Sequence, residues 1–455
     1  MKRVNPAEII NTSRFNRFHY MLLAWCFFII IFDGYDLVVY GTVVPKLIEE
    51  WHLTSVEAGA LSSYGLFGMM FGAIFLGMLA DKIGRKKVIA VSLFLFSLFT
   101  FLCGFTDSPT TFSAFRFIAG LGLGGIMPNV IALMTDYAPQ NRKSMAVSIV
   151  LCGYSVGGML APFLGIVLMP TFGWESIFWF AGLPLVLIPL IYKKLPESSS
   201  HLLRNGKKQE LIAILSRVNP DRKLSPDVEW TEAAEEVKIP VAGLFKETRT
   251  RSTIMFWIAF FMCLLMVFGL NTWLPKLMIN AGYGLNSSLA FLISLQAGAI
   301  AGTLIVAWLC DRYGSKKMLV PLYALGAVSL ILLGFGGSPI YIYVLVTIAG
   351  ACTTGAQNLV QAYVSQYYPP NVCSTALGMA SGIGRVGGII GPLMGGFLLA
   401  QHLPIHMNFI AFAIPGVIAS VALSLVPEKL AYYRQRQLKE MPKPEQAYVV
   451  EEPTV

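Results

Sequence analysis

The chain of 455 residues is 55% apolar and only 13% charged, with a mean hydropathy of +0.64, whereas soluble domains carry about 25% charged residues. A composition this poor in charge excludes an ordinary soluble domain and predicts a chain that crosses a membrane many times. The net charge of +9 does not mark a nucleic-acid surface, because the basic residues sort by side of the membrane.

Twelve apolar runs approach the length of about 20 residues that carries a helix across about 30 Å of hydrocarbon. They predict helices over 19–44, 57–80, 88–106, 111–135, 146–169 and 174–192, then 252–274, 286–309, 317–336, 339–365, 374–399 and 405–427. An even number of crossings puts both termini on one face. Of the 34 lysines and arginines, Lys46 and Lys276 fall in loops on the opposite face, Arg116 and Arg385 fall within spans, and all others share the face of the termini. By the positive-inside rule that face is cytoplasmic. The first run is too long for a cleavable signal, and no small-residue cleavage site follows it.

That first span contains FDGYDLVVYG, residues 32–41, with Asp33 and Asp36 three positions apart. An ionised carboxylate near the bilayer centre costs at least ~2.5–3.5 kcal/mol on insertion scales, so intramembrane acids mark function by default. At about 100° per residue the two lie about 60° apart, on one helix face. Two carboxylates this close in low dielectric do not both ionise cheaply, and one is expected to bind and release a proton. The alternative is a pair satisfied by neighbouring donors. Gly34 between them thins the helix for a close neighbour.

After the second span comes GMLADKIGRKK, residues 77–87. Gly84 permits a tight reversal, and the basic residues beside Asp81 offset its unfavourable place at a helix C-terminus. Gly77, Asp81, Gly84, Arg85 and Lys86 would latch neighbouring helices in one access state, or serve only as positive charge that sets topology. The fourth span carries Arg116 in RFIAGLGLGG, residues 116–125, at a depth near that of Asp36. It would couple to a first-span carboxylate as the access state changes, or form a static ion pair. Asp136, at the inner end of the same span, is a secondary candidate that would otherwise anchor the loop.

The long polar stretch 193–251 contains the helix breakers Pro220 and Pro226 and reads as a cytoplasmic linker. It separates an N-terminal half, 1–192, from a C-terminal half, 252–427, and a polar tail follows at 428–455. Sliding one half by 230 residues aligns Pro45-Lys46-Leu47 with Pro275-Lys276-Leu277, Gly68 and Gly72 with Gly298 and Gly302, Asp81 with Asp311, and Pro162 with Pro392. The expected fold is therefore all-α, with twelve transmembrane helices in two six-helix repeats of the same orientation. Binding sites in such duplications lie between the halves, near the midplane. The second copy of the loop, AWLCDRYGSKK at 307–317, offers Asp311, Arg312 and Gly314.

Gln357 and Gln361, on the tenth span, would prefer a wet cavity to lipid and are candidate substrate contacts. Arg385 stands in GIGRVGGIIGP, about eleven residues into the eleventh span. Its repeat counterpart is Ser155, those of Asp33 and Asp36 are Cys263 and Met266, and that of Arg116 is Val346. The fold does not need these four charges. A guanidinium clamps a carboxylate in two places, which makes Arg385 the candidate for an anionic substrate; an internal pair with the first span is the alternative. Tyr35, Tyr40, Tyr64 and Trp273 would wall a ring-shaped pocket or merely pack, and Tyr35 is carried forward as a substrate contact. The seven cysteines contain no Cys-x-x-Cys pair and read as small buried hydrophobes. His402 and His406 have no third ligand for zinc, and no Walker loop, nucleophile elbow or dinucleotide fingerprint occurs. No enzyme activity, cofactor or metal is expected.

The Gly77, Asp81, Gly84, Arg85, Lys86 pattern resembles the loop signature of the major facilitator superfamily, and the six-plus-six duplication extends the resemblance over the whole chain. RFIAGLGLGG resembles that superfamily's fourth-helix motif with its intramembrane arginine. DGYD resembles the signature of the aromatic acid:proton symporters, and the opening FNRFHYMLLAWCFFIIIFDGYDLVVYG is most similar to their benzoate transporters. The resemblance implies uptake of an aromatic carboxylate with a proton across a bacterial inner membrane by a carrier that works as a monomer. It assigns Arg116 to proton coupling, beside the acid pair Asp33 and Asp36, and Arg385 to the substrate carboxylate. A proton-coupled exporter is the rival, but Ala161 precedes Pro162 where exporters carry Gly-Pro. LPESSSHLL, residues 195–203, is similar to a stretch of sugar porters but lacks its basic residue and has no weight for substrate.

Overall fold

Hydrocarbon offers no partner for backbone N–H and C=O groups, so a lipid-crossing segment must satisfy them within itself, as a helix does. The computed structural model describes residues 5–220, 222, 230, 244–245 and 249–432, apart from the side chains of Asp311, Pro370 and Asn371. Among these residues, twelve helices are long and apolar enough to cross a bilayer. In the first half they are α1 Arg17–Glu50, α2 Ser55–Ile83, α3 Arg85–Cys103, α4 Pro109–Tyr137, α5 Lys143–Phe172 and α6 Glu175–Lys194. The second half has α7 Thr250–Asn280, α8 Leu285–Tyr313, α9 Ser315–Leu333, α10 Pro339–Tyr367, α11 Pro370–Ala400 and α12 Ile405–Ser424.

Local chemistry sets the ends. Thr54 and Glu57 form a capping box at the start of α2, and Gly84 and Gly314 adopt φ of +98° and +94° between α2 and α3 and between α8 and α9. Two spans outrun the sequence expectation: α1 continues through Pro45 to Glu50, and α7 through Pro275 to Asn280. Hydropathy falls before the helix does, and a Lys46–Glu49 pair at 2.9 Å ties the exposed last turn of α1. α6, expected over 174–192, is interrupted between Phe180 and Leu183: Pro184 has no N–H for the Phe180 carbonyl, Leu185 donates to Gly182, and the Ser97 hydroxyl donates to the Ala181 carbonyl. α10 contains a π-turn at Ala351–Gly355.

The 230-residue repeat is built in backbone contacts. A Cβ added at Gly68 would lie 2.0 Å from the Phe117 carbonyl oxygen, and one at its counterpart Gly298 would lie 2.0 Å from that of Thr347. A Cβ added at Gly157 would lie 1.8 Å from the Ile31 carbonyl oxygen, and one at Gly387 would lie 2.1 Å from that of Phe261. So α2 packs on α4 as α8 does on α10, and α1 packs on α5 as α7 does on α11. Glycine at these positions lets backbones touch where lipid supplies no hydrophobic drive for association.

Part of the linker is folded rather than a bare spacer. Helix Lys208–Val218 buries Leu211, Leu215 and Val218, and the Asn16 amide, at the start of α1, donates to the Arg217 and Val218 carbonyls at 3.0 Å each. Pro226, most of 221–248 and the tail from 433 lie outside the described residues.

Gly34 obeys the same rule: its Cβ would fall 1.9 Å from the Tyr154 carbonyl oxygen on α5. Gly34→Ala is expected to force α1 and α5 apart and cost about 1–3 kcal/mol, read as a lower melting temperature in detergent. Gly382→Ala, where a Cβ meets nothing within 4 Å, is the control and should melt with the wild type.

Candidate functional site

The two halves touch on the face away from the chain ends. There the Gly41 backbone meets Asn271, the Ser62 and Thr272 hydroxyls lie 3.1 Å apart, and the Ser63 hydroxyl donates to the Ile389 carbonyl at 2.7 Å. Gln296 on α8 presses on Gly158 of α5 and donates to Asn271 Oδ1 at 3.3 Å. Between the halves, on the side of the chain ends, lies a cavity of about 360 Å³, within the size range of small-molecule sites.

The cavity has aromatic walls from Tyr154, Phe260 and Phe268, with Leu66, Met69 and Met127 beside them. A polar strip starts at Thr354 in the π-turn of α10 and continues through Gln357, Asn358 and Gln361, and Arg385 with Ser381 comes from α11. π-turns recur at functional sites because they break the helical register locally. The Arg385 Nη1 donates to the Met69 carbonyl at 2.9 Å, leaving the rest of its guanidinium for another acceptor.

The two aspartates of α1 part company. Arg116 Nη1 lies 3.0 Å from both oxygens of Asp36, its Nη2 reaches the Asp36 carbonyl at 3.3 Å, and the Thr100 hydroxyl donates to the same carboxylate. This is a closed, buried ion pair, with Asp36 fully buried and Arg116 only 4% exposed. Asp33, also fully buried, accepts no hydrogen bond at either oxygen among the described residues. It interacts electrostatically with Asp36 on its own helix and with Arg385 and Tyr154 from facing helices. Asp33 thus faces Arg385 of the cavity wall without a direct ion pair among the described residues, while Asp36 is paired with Arg116.

Other sequence candidates divide. Gln357 and Gln361 line the cavity. Tyr35 does not: it is fully buried and donates to the Ile177 carbonyl of α6 at 2.6 Å, so the expected substrate contact is a packing anchor that faces away. Tyr40 donates to the Ala58 carbonyl, and Tyr64 is 48% exposed on the outside of the bundle. The aromatic walls were missed because aromatics abound in the chain. One signal was present: the 230-residue offset places GYSVGG, residues 153–158, opposite Arg385, so Tyr154 adjoins the arginine's counterpart.

The loop cluster forms a second constellation, on the face of the chain ends. Arg85 pairs with Asp136 at 2.5 Å, and the Ser198 hydroxyl donates to the same carboxylate at 2.7 Å. Glu197 sits against Gly84 and accepts from the Lys86 and Ser198 backbone amides at 3.2 and 2.9 Å, so a carboxylate meets the N-terminus of α3. The Lys86 ammonium stacks over Tyr192, and Arg204 donates to the Asp81 carbonyl. These bonds tie α3 to α4 and to the segment after α6, within one half; Asp136 belongs here and not to the buried charges. Glu197 and Ser198, from LPESSSHLL, are the residues that sequence reading undervalued. Gly77 faces open space, and Arg312, beside Gly314, stacks on Trp308 and Tyr313. The Asp311 side chain lies outside the described residues.

Residues 26–301 and 286–449 match the model of the Major Facilitator Superfamily. The benzoate transport protein of Acinetobacter baylyi is 45% identical over 95% of this chain and 94% of its own length. The gentisate transporter of Corynebacterium glutamicum is 37% identical over 89% and 86%, and a 4-hydroxybenzoate transporter of Acinetobacter baylyi 32% over 92% and 93%. The crystal structure of a D-xylose-proton symporter superposes with a TM-score of 0.71 at 16% identity, covering 90% of this chain and 98% of that one, which establishes the fold. The chain is a membrane transporter, not an enzyme, and belongs to the Major Facilitator Superfamily and, within it, to the family these aromatic-acid transporters share.

Proposed function

We propose that this carrier imports an aromatic carboxylate, best matched by benzoate, together with a proton, as a monomer in a bacterial inner membrane with both termini in the cytoplasm. The observation that supports the reading is a buried carboxyl, Asp33, that has no hydrogen-bond donor among the described residues and interacts with Arg385 of an aromatic-walled cavity. A bilayer-buried carboxyl that lacks donors is tolerated uncharged, or charged only beside a cation. Asp33 and a substrate carboxylate therefore compete for Arg385.

When Asp33 is protonated, Arg385 is free to clamp the incoming anion, and the ring packs against Tyr154, Phe260 and Phe268. When Asp33 loses its proton on the cytoplasmic side, its carboxylate reclaims the guanidinium and the substrate leaves. Asp36, Arg116 and Thr100 keep the neighbouring acid neutralised in the same helix, so that one titrating site remains. Gln357 and Gln361 supply the polar edge of the pocket, and the loop cluster of Arg85, Asp136 and Glu197 fixes the N-terminal half as a body that rocks against the other. One proton with one monoanion moves no net charge, so the pH gradient is the main drive. The identity to a benzoate transport protein and the room for one substituted ring support the substrate class.

Vesicles that carry the purified protein are expected to accumulate labelled benzoate when the lumen is made alkaline, and to stop when a protonophore collapses the gradient. Accumulation that survives the protonophore, or efflux in place of uptake, would overturn the proposal.

A further inference from the structure

The proposed symport cycle requires Asp33 to surrender its proton on the side where the substrate leaves, yet both Asp33 oxygens are sealed from the cavity. A carrier for that proton must touch both. The charged and titratable groups that face Asp33 are Asp36 on its own helix, Arg385 on α11 and Tyr154 on α5. Asp36 is committed to Arg116 and Thr100, and protonating it would leave a buried guanidinium unpaired. Arg385 does not deprotonate, so it cannot pass a proton on.

Tyr154 lines the cavity and interacts with both Asp33 and Arg385, and among the described residues no protein group hydrogen-bonds its hydroxyl. Its place is rigid, because its carbonyl oxygen occupies the space where a side chain at position 34 would begin. We propose that the phenol of Tyr154 is the proton relay between Asp33 and the substrate cavity. In the step, the Asp33 O–H bond breaks and its proton binds the phenol oxygen, directly or through one water. The phenol's own O–H breaks and that proton passes to cavity water. The phenol ends neutral, the carboxylate left behind faces Arg385, and rotation of the hydroxyl resets the relay.

The test uses the full chain in vesicles and two rates for each variant: net benzoate uptake driven by an alkaline lumen, which needs proton release, and benzoate counterflow without a gradient. Tyr154→Phe removes only the hydroxyl and is expected to lower the ratio of net uptake to counterflow at least tenfold. Tyr154→His, whose imidazole also passes protons, is expected to restore at least a third of the wild-type ratio. A ratio within twofold of wild type in Tyr154→Phe, or a Tyr154→His ratio below a tenth of wild type, overturns the relay. The histidine arm stands alone if Tyr154→Phe does not fold. Failure of the underlying symport reading is distinguishable, because wild-type vesicles would then lack gradient-driven uptake altogether.

Discussion

Asp33→Asn is expected to yield a carrier that equilibrates benzoate but does not concentrate it. Asparagine mimics the protonated acid in shape and charge, so Arg385 stays available to the substrate on both sides and the exchange of cation between acid and substrate is lost. With one proton per substrate, a gradient of one pH unit supplies about 1.4 kcal/mol, or roughly a tenfold accumulation. The wild type should approach that ratio in proteoliposomes and the variant should stop near unity. Asp36→Asn should fail differently. It strips Arg116 of its partner inside the bundle, a class of change that costs about 3–5 kcal/mol, so the expected readout is loss of folded protein on size exclusion. If Asp33→Asn still concentrated substrate, Asp33 could not be the coupling acid.

Arg385→Lys is expected to raise the KM for benzoate by about 10–100-fold, with a smaller change in maximal rate. The substitution keeps one positive charge but replaces a planar fork by a point donor. The Met69 carbonyl already takes one N–H of the arginine, and a lysine that kept this bond would meet a carboxylate with single rather than paired geometry. Losing a hydrogen bond to a charged group is worth about 1.5–3 kcal/mol. Initial uptake rates over a range of benzoate concentrations measure this directly. A KM within threefold of wild type would remove Arg385 from the substrate site.

The sequence alone determined the helix count and the duplication, and it singled out four charged residues within the spans. The reason is the solvent: lipid makes every spanning segment declare itself by length and hydropathy, and makes each buried charge expensive enough to stand out. The repeat sharpened this, since Cys263, Met266, Val346 and Ser155 occupy the counterpart positions without charge. Only the tertiary structure decided which aspartate pairs with Arg116. Asp33 and Asp36 lie about 60° apart on one helix, and whether a given one meets α4 or α11 depends on how α1 is rotated in the bundle. That rotation is set by backbone contacts such as Gly34 against Tyr154, which leave no mark in composition. The same rotation turned Tyr35 toward α6, the packing of α5 brought Tyr154 to the cavity, and the docking of Glu197 on Gly84 likewise needed two segments more than a hundred residues apart to meet. Identity of residues on a span is written along the chain; the direction each one faces is a property of its neighbours in space.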